Sequence, residues 1–326
     1  MPKIEQPEIF TDGWQYTELP RLKESEQEVD YQHMAAMGSC FARNLNRWLN
    51  FNGCTDRQMP WDILYNPFSI QKEIERLYSP VEWEANILYE VSSDGEKRLR
   101  DPWRTWHVFT SSDKLKAANE QFDQQARSFL SDSNSFLITL GISEVWSPAD
   151  NPEIVLNQVP IGSIRLGEKR WTSRFTSVSE VYKSLETTVN LIRENVSPDG
   201  LIIFTLSPVP LKYTASGLSV REANNICKAT LLIAVRELAR NRSDVNYFPS
   251  YEMVQALSEQ PNSTVWQVDG RHVNAQVVDT IANKLIEVYG KPAGERNEEK
   301  FWVPRVDEKG KIIGKLYIDG TEEVNQ

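Results

Sequence analysis

The sequence predicts an α/β protein: a three-layer α/β/α sandwich on a parallel sheet, with capping insertions and a C-terminal β-hairpin. Three observations predict it. Apolar runs of strand length recur along the 326 residues. Each ends in Gly, Ser or Pro, and helical patterns separate them. Continuous apolar runs are strands buried on both faces, as in a parallel sheet lying between helices.

The first strand is Met34 to Met37. After Gly38-Ser39-Cys40, residues Phe41, Leu45, Trp48 and Leu49 recur at i, i+4, i+7 and i+8, which predicts a helix that stops at Asn52-Gly53. Residues 54–130 interrupt the alternation, with helices near Ser69 to Tyr78 and Asp113 to Leu130 and an aromatic-rich connection between them. Phe136 to Leu140 form the next strand, ending at Gly141. A second insertion, 147–176, contains "EIVLNQVPIGSIRL" and "KRWTSRF" and reads as β-ribbon. Both insertions are expected over the carboxyl ends of the sheet.

Ser177-Val178-Ser179-Glu180 and Ser219-Val220-Arg221-Glu222 fit the capping box, in which a serine oxygen takes a backbone N–H and a glutamate reaches back. Between them Leu201 to Leu206 form a strand closed by Ser207-Pro208-Val209-Pro210, and a shorter strand, Val245 to Phe248, ends in Pro249. The last helix, Val273 to Tyr289, stops at Gly290-Lys291-Pro292. The tail alternates around Asp307-Glu308-Lys309-Gly310 and reads as a hairpin. The expected organisation is one domain over 1–294 with a hairpin extension over 295–326.

With 36 basic and 46 acidic residues the formal charge is -10, so nucleic acid is not an expected partner. The stretch MPKIEQPEIF lacks a basic region followed by an apolar one, and no run approaches membrane-span length. Cys40, Cys54 and Cys227 are an odd, scattered set, which fits a reducing, cytoplasmic setting. No metal or other cofactor is expected, since the chain has no CxxC, HExxH or clustered His/Cys set. Nothing in the sequence sets an oligomeric state.

In an open α/β sheet the ligand crevice lies beyond the carboxyl ends of the strands. Those ends present Ser39, then Gly141 with Ser143 and Glu144, then Ser207, with Asp269 and His272 just before the last helix. A serine hydroxyl needs a neighbouring base to become a nucleophile. The chain has three histidines. His33 begins the strand that Ser39 ends, roughly 20 Å away in extended chain. His107 lies in the first insertion and can reach the site only by folding back. In "DGRHVN" the spacing of Asp269 and His272 lets the carboxylate meet one ring nitrogen while the other faces a serine, so His272 is the expected base. The helix start after Ser39 offers free N–H groups to a developing oxyanion.

Rival readings accompany each part. Cys40 at the same helix start is an alternative nucleophile as a thiolate. Arg221, Asn224 and Lys228 share a helix face, which is either a binding surface for an anionic or hydroxylated acceptor or a solvated flank. Trp61, Trp103, Trp106, Trp146 and Trp171, in or beside the insertions, form either a platform for sugar rings or anchors for long loops.

"GSCFA" at Gly38 to Ala42 closely resembles the motif of the GSCFA family, a branch of the SGNH/GDSL hydrolase-like superfamily. "YNPFSI", "TLGISEVW", "LSPVPL", "NNICKA", "YFPSYEMV" and "DGRHVN" resemble further blocks, and the likeness spans roughly residues 34 to 290. The resemblance implies the flavodoxin-like SGNH type of sandwich, with Ser39, Asp269 and His272 as a catalytic triad. That superfamily commonly carries Gly-x-Asn-Asp after its third strand, the asparagine serving the oxyanion hole. The matching positions here are Gly141-Ile142-Ser143-Glu144, so Ser143 stands where the asparagine would, and Asn66 is the expected substitute. Cys227, before Lys228, stands where a serine is often found in the family.

The expected activity is acyl transfer at an ester through an acyl-serine on Ser39, with the oxyanion held by the Ser39 and Gly141 N–H groups. The expected substrate is a small-molecule or carbohydrate ester, an O-acyl carbohydrate or a glycan precursor. Water as acceptor makes an esterase and a sugar hydroxyl an acyltransferase. The alternative is a non-catalytic glycan- or ligand-binding protein on the same fold.

Overall fold

The computed structural model describes residues 19–20, 27–79, 88–93, 96–290 and 300–325. The N-terminal stretch MPKIEQPEIF, and Lys291-Pro292 after the last helix, lie outside them. Its centre is a parallel sheet in the order β1 (Met34–Gly38), β5 (Ser135–Leu140), β8 (Leu201–Leu206), β9 (Val245–Phe248). The four expected strands are therefore all present, and they are buried because helices cover both faces.

Alternation along the strands sorts side chains between two cores. Met34, Ala36, Leu137 and Ile203 face α1 (Cys40–Phe51), α7 (Ser250–Ser258) and α8 (Ala275–Tyr289). Ala35, Phe136, Ile138, Ile202 and Phe204 face α2 (Pro67–Tyr78), α3 (Ser112–Ser131), α5 (Val178–Asn195) and α6 (Val220–Asn241). Both expected capping boxes are formed, at the starts of α5 and α6.

β1 is an edge strand, and exposed edges invite pairing. The segment after α1 covers this one. Trp61 Nε1 donates to Ala36 O at 2.8 Å, Leu64 N–H to Gly38 O at 2.8 Å, and Met59 Sδ accepts from Ala36 N–H.

The insertions differ from their expected form. The aromatic-rich connection is a small antiparallel sheet of β2 (Tyr89–Ser93), β3 (Glu96–Arg100) and β4 (Val108–Phe109). Within 147–176 only the ends are strands, β6 (Glu144–Pro148) paired with β7 (Trp171–Phe175). The apolar run that reads as ribbon, 153–166, is instead an irregular segment followed by the short helix α4 (Ile161–Arg165). Its backbone is satisfied from outside, Leu156 N–H by Trp146 O and Asn157 N–H by Pro102 O. The C-terminal hairpin gains a third strand: β10 (Trp302–Val306), β11 (Ile312–Tyr317) and β12 (Glu322–Val324) form one antiparallel sheet. Phe301 and Val303 belong to the core beneath α1 and α8. Among the described residues no helix is long and apolar enough to cross a membrane.

Candidate active site

The turn from β1 into α1 is set by glycine geometry. Gly38 has φ +122°, where side chains are rarely tolerated, and a Cβ there would lie 2.1 Å from Thr139 O. Ser39 then takes extended angles and caps α1, its Oγ accepting the Phe41 N–H at 3.2 Å. Ser39 is 4% exposed. Across the turn Gly141 approaches so closely that a Cβ would stand 3.6 Å from Ser39 Cβ and 2.6 Å from Tyr65 O.

The second half of the site is the loop before α8. Asp269 Oδ2 meets His272 Nδ1 at 2.6 Å, while its Oδ1 accepts the N–H groups of Arg271 and His272 at 3.1 and 3.0 Å. Burial by itself raises the Asp269 pKa, but these hydrogen bonds outweigh it and hold the carboxyl below its usual range. Arg271 ties the loop to the end of β8 by donating to Pro210 O, and its charge acts on Cys40 beside Ser39. Both halves therefore stand at the carboxyl ends of the sheet. Among the described residues no hydrogen bond joins Ser39 to His272.

Of the two N–H groups expected to hold an oxyanion, that of Ser39 is engaged and, among the described residues, that of Gly141 is not. The Ser39 N–H is spent on Thr139 O at 3.1 Å, because β1 and β5 keep their ladder to the turn. The N–H groups of Cys40 and Gly141 make no hydrogen bond among the described residues. The Cys40 N–H belongs to the helix start expected to offer free N–H groups, and it follows the serine at a position that serves oxyanions in α/β-hydrolases.

The substitutes for the asparagine are engaged elsewhere. Asn66 is the buried N-cap of α2: its Oδ1 accepts the Ser69 N–H and its Nδ2 donates to Leu156 O and Asn157 O. Ser143 is fully buried and donates to Cys227 O at 3.4 Å. Glu144 accepts the Ala215 N–H, Ser207 Oγ accepts the Val209 N–H, and Asn224 Oδ1 accepts the Leu211 N–H. These four brace loops around the strand ends. His107 does not fold back over the site. Its Nδ1 meets Asn119 Oδ1 at 2.5 Å and its ring packs on Phe122, and burial lowers its pKa.

Lys228 is neither a solvated flank nor a surface anion site. It is 2% exposed and donates to Gly141 O and Ser207 O, both at 2.8 Å, joining the ends of β5 and β8. Burial pushes its pKa down to about 8. Cys40 is a poor thiolate: burial pushes its pKa up despite the charges of Arg43, Arg271 and Lys228. Trp61, Trp103 and Trp171 anchor loops, their indole N–H groups bonded to Ala36 O, Val155 O and Ser163 Oγ.

A cavity of about 350 Å³, in the size range of small-molecule sites, borders Ser39 on the side of α1, and Gly141, Asp269 and His272 are not part of its lining. Arg43, Asn46, Arg47 and Asp62 line it with the apolar Ala42 and Met59. The signal for it was in the sequence. Positions 39, 43, 46, 47 and 50 form a polar stripe on α1, away from its apolar face.

A sequence model of the GSCFA family matches residues 33–285. The chain belongs to the GSCFA family. A comparison with curated proteins found no match. The GSCFA motif is thus the β1–α1 turn itself: Gly38 makes the turn, Ser39 caps the helix, Cys40 presents an N–H, and Phe41 and Ala42 pack inward. The GSCFA match ends within α8, so β10 to β12 lie outside it.

Proposed function

We propose that this chain is an SGNH-type serine enzyme that hydrolyses or transfers the acyl group of an O-acyl carbohydrate or glycan precursor. The observation that carries the proposal is the Asp269–His272 pair. Three hydrogen bonds hold the carboxylate, the imidazole tautomer is thereby fixed, and the pair stands at the strand ends that present Ser39. His272 Nε2 accepts the Ser39 proton as Oγ attacks the ester carbonyl, and later returns it to the leaving alcohol. The Gly141 and Cys40 N–H groups receive the oxyanion in place of the Ser39 N–H. Catalytic hydrogen bonds often tighten only with substrate bound, and the approach of the His272 ring to Ser39 is such a step.

The cavity beside Ser39 supports a hydroxylated substrate. Asn46 is buried with its Oδ1 unpaired, and Arg47, over the Trp302 ring at 4.4 Å, adds positive charge. Water as acceptor gives an esterase and a sugar hydroxyl an acyltransferase. Three free cysteines fit a reducing, cytoplasmic setting.

One observation favours a second reading, a non-catalytic glycan-binding protein. The Ser39 oxygen is engaged as a helix cap and shares no hydrogen bond with His272. A fluorophosphonate probe decides between them. Labelling of the wild type that vanishes in Ser39→Ala supports the enzyme, whereas a folded wild type that stays unlabelled supports the binding protein.

A further inference from the structure

The loop carrying Asp269 and His272 is short and lies near the surface, yet the Asp269 side chain is only 2% exposed. Its cover comes from the C-terminal sheet. The β10–β11 turn closes on itself, with Gly310 N–H bonded to Asp307 O and Asp307 Oδ1 taking the N–H groups of Lys309 and Lys311. It rests on the pair so closely that a Cβ at Gly310 would stand 3.1 Å from Asp269 Oδ2 and 3.7 Å from His272 Cε1. On the far side Lys212 Nζ holds Lys309 O at 2.7 Å.

Gln267 fastens the same loop from within. Its Nε2 donates to Val273 O and to Pro304 O of β10, its Oε1 accepts the Val306 N–H at 3.0 Å, and its own N–H bonds His272 O at 2.8 Å. A buried amide with these partners fixes the loop to β10 at one register.

We propose that the C-terminal sheet, outside the family match, completes the active site: the 307–310 turn shields the Asp269–His272 hydrogen bond and Gln267 positions the loop that carries it. The role given to the pair rests on the acyl-transfer reading, but the shielding is a property of the fold. Excluding water strengthens a charge-assisted hydrogen bond and holds the ring in one orientation. Glycine at 310 leaves room for this contact, and its φ of +74° suits the turn. Gln267 and Gly310 act through His272 and are positioning residues.

The test uses Gly310→Asn in the full chain. Asparagine tolerates positive φ better than other side chains, so the turn keeps its backbone while the new Cβ presses on Asp269. The readout is the downfield proton resonance of the Asp269–His272 hydrogen bond and its exchange with water, recorded in a Ser39→Ala background. Exchange is expected to quicken by about tenfold or more, with unchanged circular dichroism. Glu308→Ala, on the exposed side of the same turn, should leave it at the wild-type rate. Lys212→Met, which frees the turn without touching the pair, supplies a smaller effect in the same direction should Gly310→Asn fold poorly. Wild-type exchange in both Gly310→Asn and Lys212→Met overturns the proposal. Faster exchange in a chain whose wild type resists fluorophosphonate labelling upholds the shielding and refutes the enzyme reading alone.

Discussion

At Ser39 one oxygen is assigned both a helix cap and a nucleophile, and the two roles separate by measurement. Ser39→Ala should lower unfolding free energy by about 1 kcal/mol, the typical worth of a serine cap, as read from the urea midpoint, besides abolishing labelling. For Asp269→Asn the expected outcome under the acyl-transfer reading is a loss of about 10³- to 10⁴-fold in the rate of p-nitrophenyl acetate hydrolysis, because an amide fixes the wrong tautomer. Lys228 makes a separate prediction. Its pKa is about 8 when folded against the ordinary lysine value of 10.5, so between those values the unfolded chain binds more protons and stability gains with rising pH. Relative to Lys228→Met, the wild type should gain on the order of 3 kcal/mol between pH 8 and 10.5, read by urea denaturation across that window. No relative gain would mean that the buried amine is not displaced from its ordinary range.

At the scale of elements, the insertion between α1 and β5 is organised by charge as well as by apolar pattern. Arg104 is fully buried, with Glu73 at 2.9 Å and Asp123 at 2.6 Å, and Arg76 meets buried Asp101 at 3.1 Å. Arg104→Met should destabilise the protein by about 3–5 kcal/mol, since Glu73 is left as a buried charge without its partner. A loss below about 1 kcal/mol in denaturant titration would show that the network relaxes to water. The helices of this insertion were legible, because i, i+4 spacing and the caps, Asn66 for α2 and Ser111 for α3, are local. Its strands were not, since "EKRLR" is charged and lacks apolar alternation, although its partners β2 and β4 lie close by in the chain. The run around Ile154 to Leu156 misled for the opposite reason. It is apolar enough for a strand, but its hydrogen bonds are supplied by Trp146 and the Asn66 side chain.

Across the whole molecule the question is whether the C-terminal sheet is a separate unit. Phe301 is fully buried, 5.8 Å from the Phe51 ring of α1, and Tyr31 donates to Gly290 O at the end of α8. Phe301→Ala should therefore shift a single cooperative transition to a lower midpoint, with a loss of about 3–5 kcal/mol in unfolding free energy for a large side chain lost from a packed core. Two resolved transitions would show that the sheet folds by itself.

The amino-acid sequence by itself determined the four strands of the central sheet, most of the helices, the glycine-serine turn and the spacing of Asp269 to His272. All of these rest on periodicity, capping and chain lengths of a few residues. Only the tertiary structure decided how the polar groups are used. Ser39 N–H is consumed by Thr139, Asn66 and Ser143 are turned away, Lys228 spans two strand ends, and Gly310 covers Asp269 from about forty residues downstream. A donor or acceptor is free or spent according to neighbours that packing brings from distant parts of the chain, and local pattern carries no record of them.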